Sequence, residues 1–421
     1  MIKKTFALCR LFWPQLACLY LLEHALHPWL LRLCVEIGFV HRLLGLTALA
    51  VLVLLKLVVL LWMFYVVRPG LTAVDAVESG QGAATSTQRF TGVLGVVLVP
   101  FFAYYAAWGF LGDVIRDYSL LGWRLDPFGE HGTLLRAGDS QWLLFIVAVS
   151  WLLRLKCEDL LRRRQGLSWR LAATLLSANW VFIGLYALGT YQDTITSWFA
   201  NLPIVANLIR LWSSLQISAP SIPLPDFVSS WGAVFDGVRR LFFYALLPLV
   251  WLALAAIIYR SKSPTGERQG TFMIEQMEGR YAKLPSPVRK VLDRLIGSYR
   301  SRYVPVARSV ELTLTSGIGF LLLFIFSYRL LTWGSAWLWI LAKQLIGPYS
   351  LDVWYVFADV LGIVIGNPLG PERGIIFEPL RICLLAAAFD RAVATHRELT
   401  SQPVSAAPAA GNADTAAAVS G

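Results

Sequence analysis

Apolar residues in this chain come in long uninterrupted runs, separated by short polar stretches rich in Gly, Pro and charge. Leu241–Tyr259 is the clearest run, nineteen residues without a charge. About twenty apolar residues carry a helix across the hydrocarbon of a bilayer. Similar runs place spans near residues 6–26, 43–67, 91–111, 140–160, 171–191, 312–331, 351–366 and 374–394. Lipid offers the backbone no hydrogen bonds, so runs of this length predict an all-α, polytopic integral membrane helical bundle of about seven to nine transmembrane helices.

Polar stretches set the orientation. Residues 260–308 carry eleven Lys/Arg against four Asp/Glu, which predicts a basic cytoplasmic loop and a cytoplasmic N-terminus. Within that loop Ser286 and Pro287 open a helix whose face Val288, Val291, Leu292, Leu295, Ile296 and Tyr299 is apolar and whose other side is basic. Such a helix is expected to rest on anionic lipid headgroups. Residues 198–215 are amphipathic too, and 401–421, rich in Ala, Ser and Gly, read as a disordered tail.

Prolines adjust the boundaries. Lys3, Lys4 and Arg10 precede the first run with no small-residue cleavage site after it, which points to an uncleaved first span. His27-Pro28 is expected to end that span, because the residue before proline is pushed out of helical geometry. Residues 29–40 then become a short interfacial helix. Pro100 is placed as a kink within its span. Gly347-Pro348 bounds a Trp-rich stretch, 333–345, that either lies at the outer surface or dips back into the bilayer.

Composition sharpens the class. Hydrophobic residues form 57% of the chain and charged residues 15%, with mean hydropathy +0.60, far from the balance of a soluble domain. The net charge of +11 sits in loops flanking spans, where topology and anionic lipid account for it, and nucleic acid is not expected as a partner. Cys9, Cys18, Cys34, Cys157 and Cys383 show neither CxxC nor Cys/His spacing. P-loop, GxSxG, HExxH and dinucleotide motifs are absent from the sequence, so no cofactor or metal is expected, and the reading leans away from an enzyme.

Three groups of residues carry candidate chemistry. Lys56 lies in the middle of its span, where a lysine costs about 2.5–3.5 kcal/mol on insertion scales. Its partner is Glu23 if the first helix runs unbroken; the proline argument instead sets Glu23, His24 and His27 at the outer interface. In the C-terminal hairpin Asp359 and Arg381 are about equally far from the Asn367–Pro371 turn and could meet across it, with Glu378 one turn from Arg381. The outer loop 113–139 holds Asp113, Asp117, Asp126, Glu130 and His131, in spacings that match no metal motif.

These groups define three functions: a transporter, channel or export component of the plasma (inner) membrane using the buried charges; a membrane enzyme acting on a lipid-linked substrate through the outer loop; or a non-catalytic subunit. Partners are the lipid bilayer and, beyond it, another membrane protein or a second copy. Buried charge is the costliest feature, so transport leads.

Overall fold

A computed structural model describes residues 1–72, 86–107, 109–129, 140–164, 167–191, 197, 227–260, 317–367 and 373–401. The basic loop 260–308 beyond Arg260, the amphipathic stretch 198–215, Glu130, His131 and the tail beyond Ser401 lie outside the described residues. Among the described residues the secondary structure is helical, without strands.

Ten helices follow in order: α1 (Ile2–Val40), α2 (Arg42–Val67), α3 (Ser86–Ala107), α4 (Phe110–Leu125), α5 (Ser140–Arg164), α6 (Leu167–Thr190), α7 (Phe227–Arg260), α8 (Ile318–Ile346), α9 (Leu351–Val364) and α10 (Gly374–Ser401). Four of them are long and apolar enough to cross a membrane: α1, α2 with the turn after it, most of α6, and α8. The bent pair α3–α4 makes a fifth if it counts as one span.

Helix α1 corrects the proline reading. It runs 39 residues without a break, through both Pro14 and Pro28. The rings of both prolines lie on its exposed side. Buried contacts lie before and after Pro28: Leu16, Ala17 and Tyr20 on one side, Leu31, Cys34 and Val35 on the other. Packing along the whole length holds helical geometry against the local preference of the residue before proline. The separate interfacial helix at 29–40 does not exist.

Helices α1 and α2 form a hairpin joined by His41 alone, whose backbone is extended. So tight a turn brings the backbones close. A Cβ at Gly45 would stand 2.6 Å from the Gly38 Cα and 2.4 Å from the Tyr118 hydroxyl, so the seam requires glycine there. At the far end the Tyr259 hydroxyl donates to the Phe64 carbonyl at 3.0 Å. The N–H of Arg68 bonds Tyr65 instead, and the α7 tyrosine supplies the donor that this helix end lacks.

Helix α3 ends at a turn where Gly109 has φ +82°, and α4 leaves it at a bend of 75°. The expected span 91–111 therefore stops short, and the first part of the expected loop 113–139 is an amphipathic helix. Leu120, Trp123 and Phe128 are exposed along and just beyond α4, the arrangement of a helix lying at an interface.

Helix α8 is continuous from Ile318 to Ile346, so the stretch 333–345 is neither re-entrant nor separate. Ser335 and Trp339 then donate to the carbonyls of Ile365 and Gly366, which fastens α8 to the turn after α9. Helix α9 has only 14 residues, about 21 Å at 1.5 Å per residue, and is too short to cross unaided.

The core centres on α10. Ile382 through Phe389 are each no more than 3% exposed, and α10 packs against α1, α2, α7, α8 and α9. These neighbours bury the charged side chains of Glu378, Arg381 and Asp390, while Arg391 is exposed. Its seam with α1 places the Lys4 ammonium 2.5 Å from the buried Asp390 carboxylate.

Candidate functional site

The hairpin geometry sets the depth of the mid-span lysine. Glu23 lies eighteen residues before His41 and Lys56 fifteen after it. At 1.5 Å per residue they stand about 27 and 22 Å below the turn, within one helical turn of each other. Lys56 Nζ is 3.7 Å from Glu23 Oε1, with the two side chains 23% and 16% exposed. Separation at this distance is an ion pair beyond direct hydrogen-bond reach. Glu23 is therefore in the bundle, and His24 stacks on Tyr20 with ring centroids 6.0 Å apart. His27, one turn further on, is half-buried and does not line the cavity described next.

A second pair lies deeper. On α10, Arg381 donates through Nη2 to Glu378 one turn earlier, and both residues are buried. The Arg381 guanidinium rests on the face of Trp251 from α7, 4.2 Å from the ring centroid. Trp251 in turn donates its indole N–H to the Tyr104 hydroxyl of α3 at 2.8 Å. Tyr328 of α8 completes this wall, and Arg373, just before α10, lies 6.0 Å over the Tyr328 ring.

Both ion pairs open on one cavity of about 100 Å³. It is lined by helices α1, α2, α3, α4, α7, α8 and α10, with Phe101, Phe110 and Leu247 among its apolar walls. Room of this size suffices for several water molecules or one small solute. Three cations (Lys56, Arg373, Arg381) face two carboxylates (Glu23, Glu378). At this site Arg381 Nε and the Tyr328 hydroxyl are buried without a hydrogen-bond partner among the described residues.

Of the residues singled out in the sequence, Lys56, Glu23, Glu378 and Arg381 converge here. Asp359 does not: it is exposed on α9, while Arg381 points inward to Glu378 and Trp251. Equal distance from a hairpin turn sets height only. The angular position on each helix decides whether two side chains meet, and α9 turns Phe357 and Ala358 toward the bundle and Asp359 away.

The carboxylates Asp113, Asp117 and Asp126, expected in an outer loop, are spread along α4 and its end. Asp113 sits in the first turn, where the helix dipole favours it, and pairs with Arg116 at 2.9 Å. Asp117 borders a shallow groove between α4 and the Pro28–Arg32 stretch of α1. Asp126 occupies the C-terminal boundary of α4. Among the described residues no three His, Cys, Asp or Glu side chains cluster as metal ligands.

Sequence reasoning missed Tyr104, Trp251, Tyr328 and Arg373. Tyr104 and Tyr328 interrupt otherwise apolar runs, a weak signal that many packed tyrosines share. Arg373 adjoins the hairpin turn and reads there as an ordinary loop charge. Arg154, on α5, is buried beside Trp180, 5.8 Å from the ring centroid. Compared with protein-family models, with curated proteins and with solved structures, the chain matches none.

Proposed function

We propose that the chain is a multi-pass protein of the plasma (inner) membrane, N-terminus cytoplasmic, that conducts or transports a small polar solute through its bundle. The observation supporting this reading is the cavity between Lys56–Glu23 and Arg381–Glu378. Charge kept at mid-helix depth is expensive in a membrane and is a functional candidate by default, facing a bundle interior or water-filled path. A purely structural pair would be expected to close tightly. Lys56 and Glu23 stand 3.7 Å apart beside open volume, which leaves each carboxylate and ammonium able to exchange partners with a passing solute. Seven helices share the lining, so small relative tilts would change access from either side.

The test is water access. In a variant with the five native cysteines replaced, Lys56→Cys and, separately, Val59→Cys are treated in intact cells and in inverted vesicles with a membrane-impermeant thiol reagent. Val59 lines the same cavity and leaves the ion pair in place. Labelling from at least one side is the expected result. Protection of both positions from both sides, in protein shown to be folded, would remove the pathway reading.

A further inference from the structure

We propose that the cavity binds a small monocarboxylate, held between Arg381 and Tyr328. This rests on the cavity being the functional site and goes further by naming the chemistry it accepts. Charge comes first. Each carboxylate in the lining already has a cation, Glu23 with Lys56 and Glu378 with Arg381. Arg373 has no carboxylate partner among the described residues; it rests on the Tyr328 ring. Among the described residues the site therefore carries one positive charge more than its carboxylates balance, and burial makes such a charge costly. A monoanion removes that imbalance, whereas a cation would find every carboxylate taken.

Hydrogen bonding points the same way. Glu378 sits only three residues from Arg381 on one helix and engages Nη2 alone, so Nε–H has no acceptor. The Tyr328 hydroxyl, on a side chain 2% exposed, has none either. Buried donors without acceptors are rare in folded proteins and mark a missing partner. A carboxylate brings two acceptor oxygens to two donors of this kind, and guanidinium recognises that group in its own plane. Phe101, Phe110 and Leu247 supply apolar wall for a short tail, and about 100 Å³ admits only a compact one.

The experiment uses the full chain in lipid nanodiscs, with acetate as the probe and chloride as comparator at constant ionic strength. Acetate should raise the unfolding temperature saturably, and chloride should not. Tyr328→Phe keeps the ring and removes one donor, and should weaken acetate about three- to tenfold. Arg373→Gln should weaken it as well. No saturable response to acetate, an equal response to chloride, or an unchanged affinity in Tyr328→Phe would each overturn the assignment. Labelling at positions 56 and 59 without an acetate response would leave the pathway standing and discard the carboxylate. Acetate binding without labelling would do the reverse.

Discussion

At the scale of single residues, the Lys56–Glu23 pair shows what burial does to charge. Neither side chain is fully enclosed, their separation is 3.7 Å, and both line the cavity, which gives water access to them. Removing one partner strands the other at depth, yet cavity water screens part of that cost. Lys56→Met or Glu23→Gln alone should therefore destabilise the folded protein by about 1–2 kcal/mol, below the loss typical of a dry buried pair. The double variant should recover much of it, because it strands no charge. Thermal unfolding of the four proteins in one lipid forms the double-mutant cycle. Additive losses would mean that the two residues do not communicate.

Elements are governed by where backbone hydrogen bonds go. Pro248 interrupts α7 and has no N–H for the carbonyl four residues earlier, which is Tyr244. Arg329 of α8 fills that gap. Its Nε donates to the Tyr244 carbonyl at 2.9 Å, Nη2 donates to the same oxygen, and the guanidinium lies 4.9 Å from the Tyr244 ring centroid. The arginine thus joins α7 to α8 through a proline-made vacancy in the helix ladder. Arg329→Leu should cost about 1–3 kcal/mol by leaving that carbonyl without its donor. Pro248→Ala restores the missing N–H and should suppress most of the loss when combined with Arg329→Leu. Equal unfolding temperatures for the single and combined variants would refute the link.

For the whole molecule, the basic excess over residues 260–308 predicts the membrane orientation. If residues 260–308 face the cytoplasm, single cysteines at Ser263 and Ser301 should react with an impermeant thiol reagent in inverted vesicles and stay protected in intact cells. The reverse pattern would invert the topology and move Lys4–Asp390 to the outer side. The same experiment at Ser350 decides on which side the connection between α8 and α9 emerges.

Helical class was legible in the chain because lipid leaves the backbone one economical solution, and lengths of apolar runs report it directly. Lys56 was legible for the same reason: a charge inside an apolar run stands out whatever surrounds it. Its pairing with Glu23 was visible as one of two alternatives, and local proline chemistry favoured the wrong one. Packing of Leu16, Tyr20, Leu31 and Val35 along α1 overrode a preference worth less than the contacts it would have broken. Asp359 and Arg381 illustrate the opposite limit, since sequence gives depth along a helix and leaves rotation about its axis to the neighbours. The cavity itself belongs wholly to the tertiary structure. Tyr104, Trp251, Tyr328 and Arg373 come from four separate segments, and no spacing along a chain encodes their meeting. What the amino-acid order determined alone was where helices form and which charges lipid would not tolerate; which of those charges face one another was decided by the packing of the helices around α10.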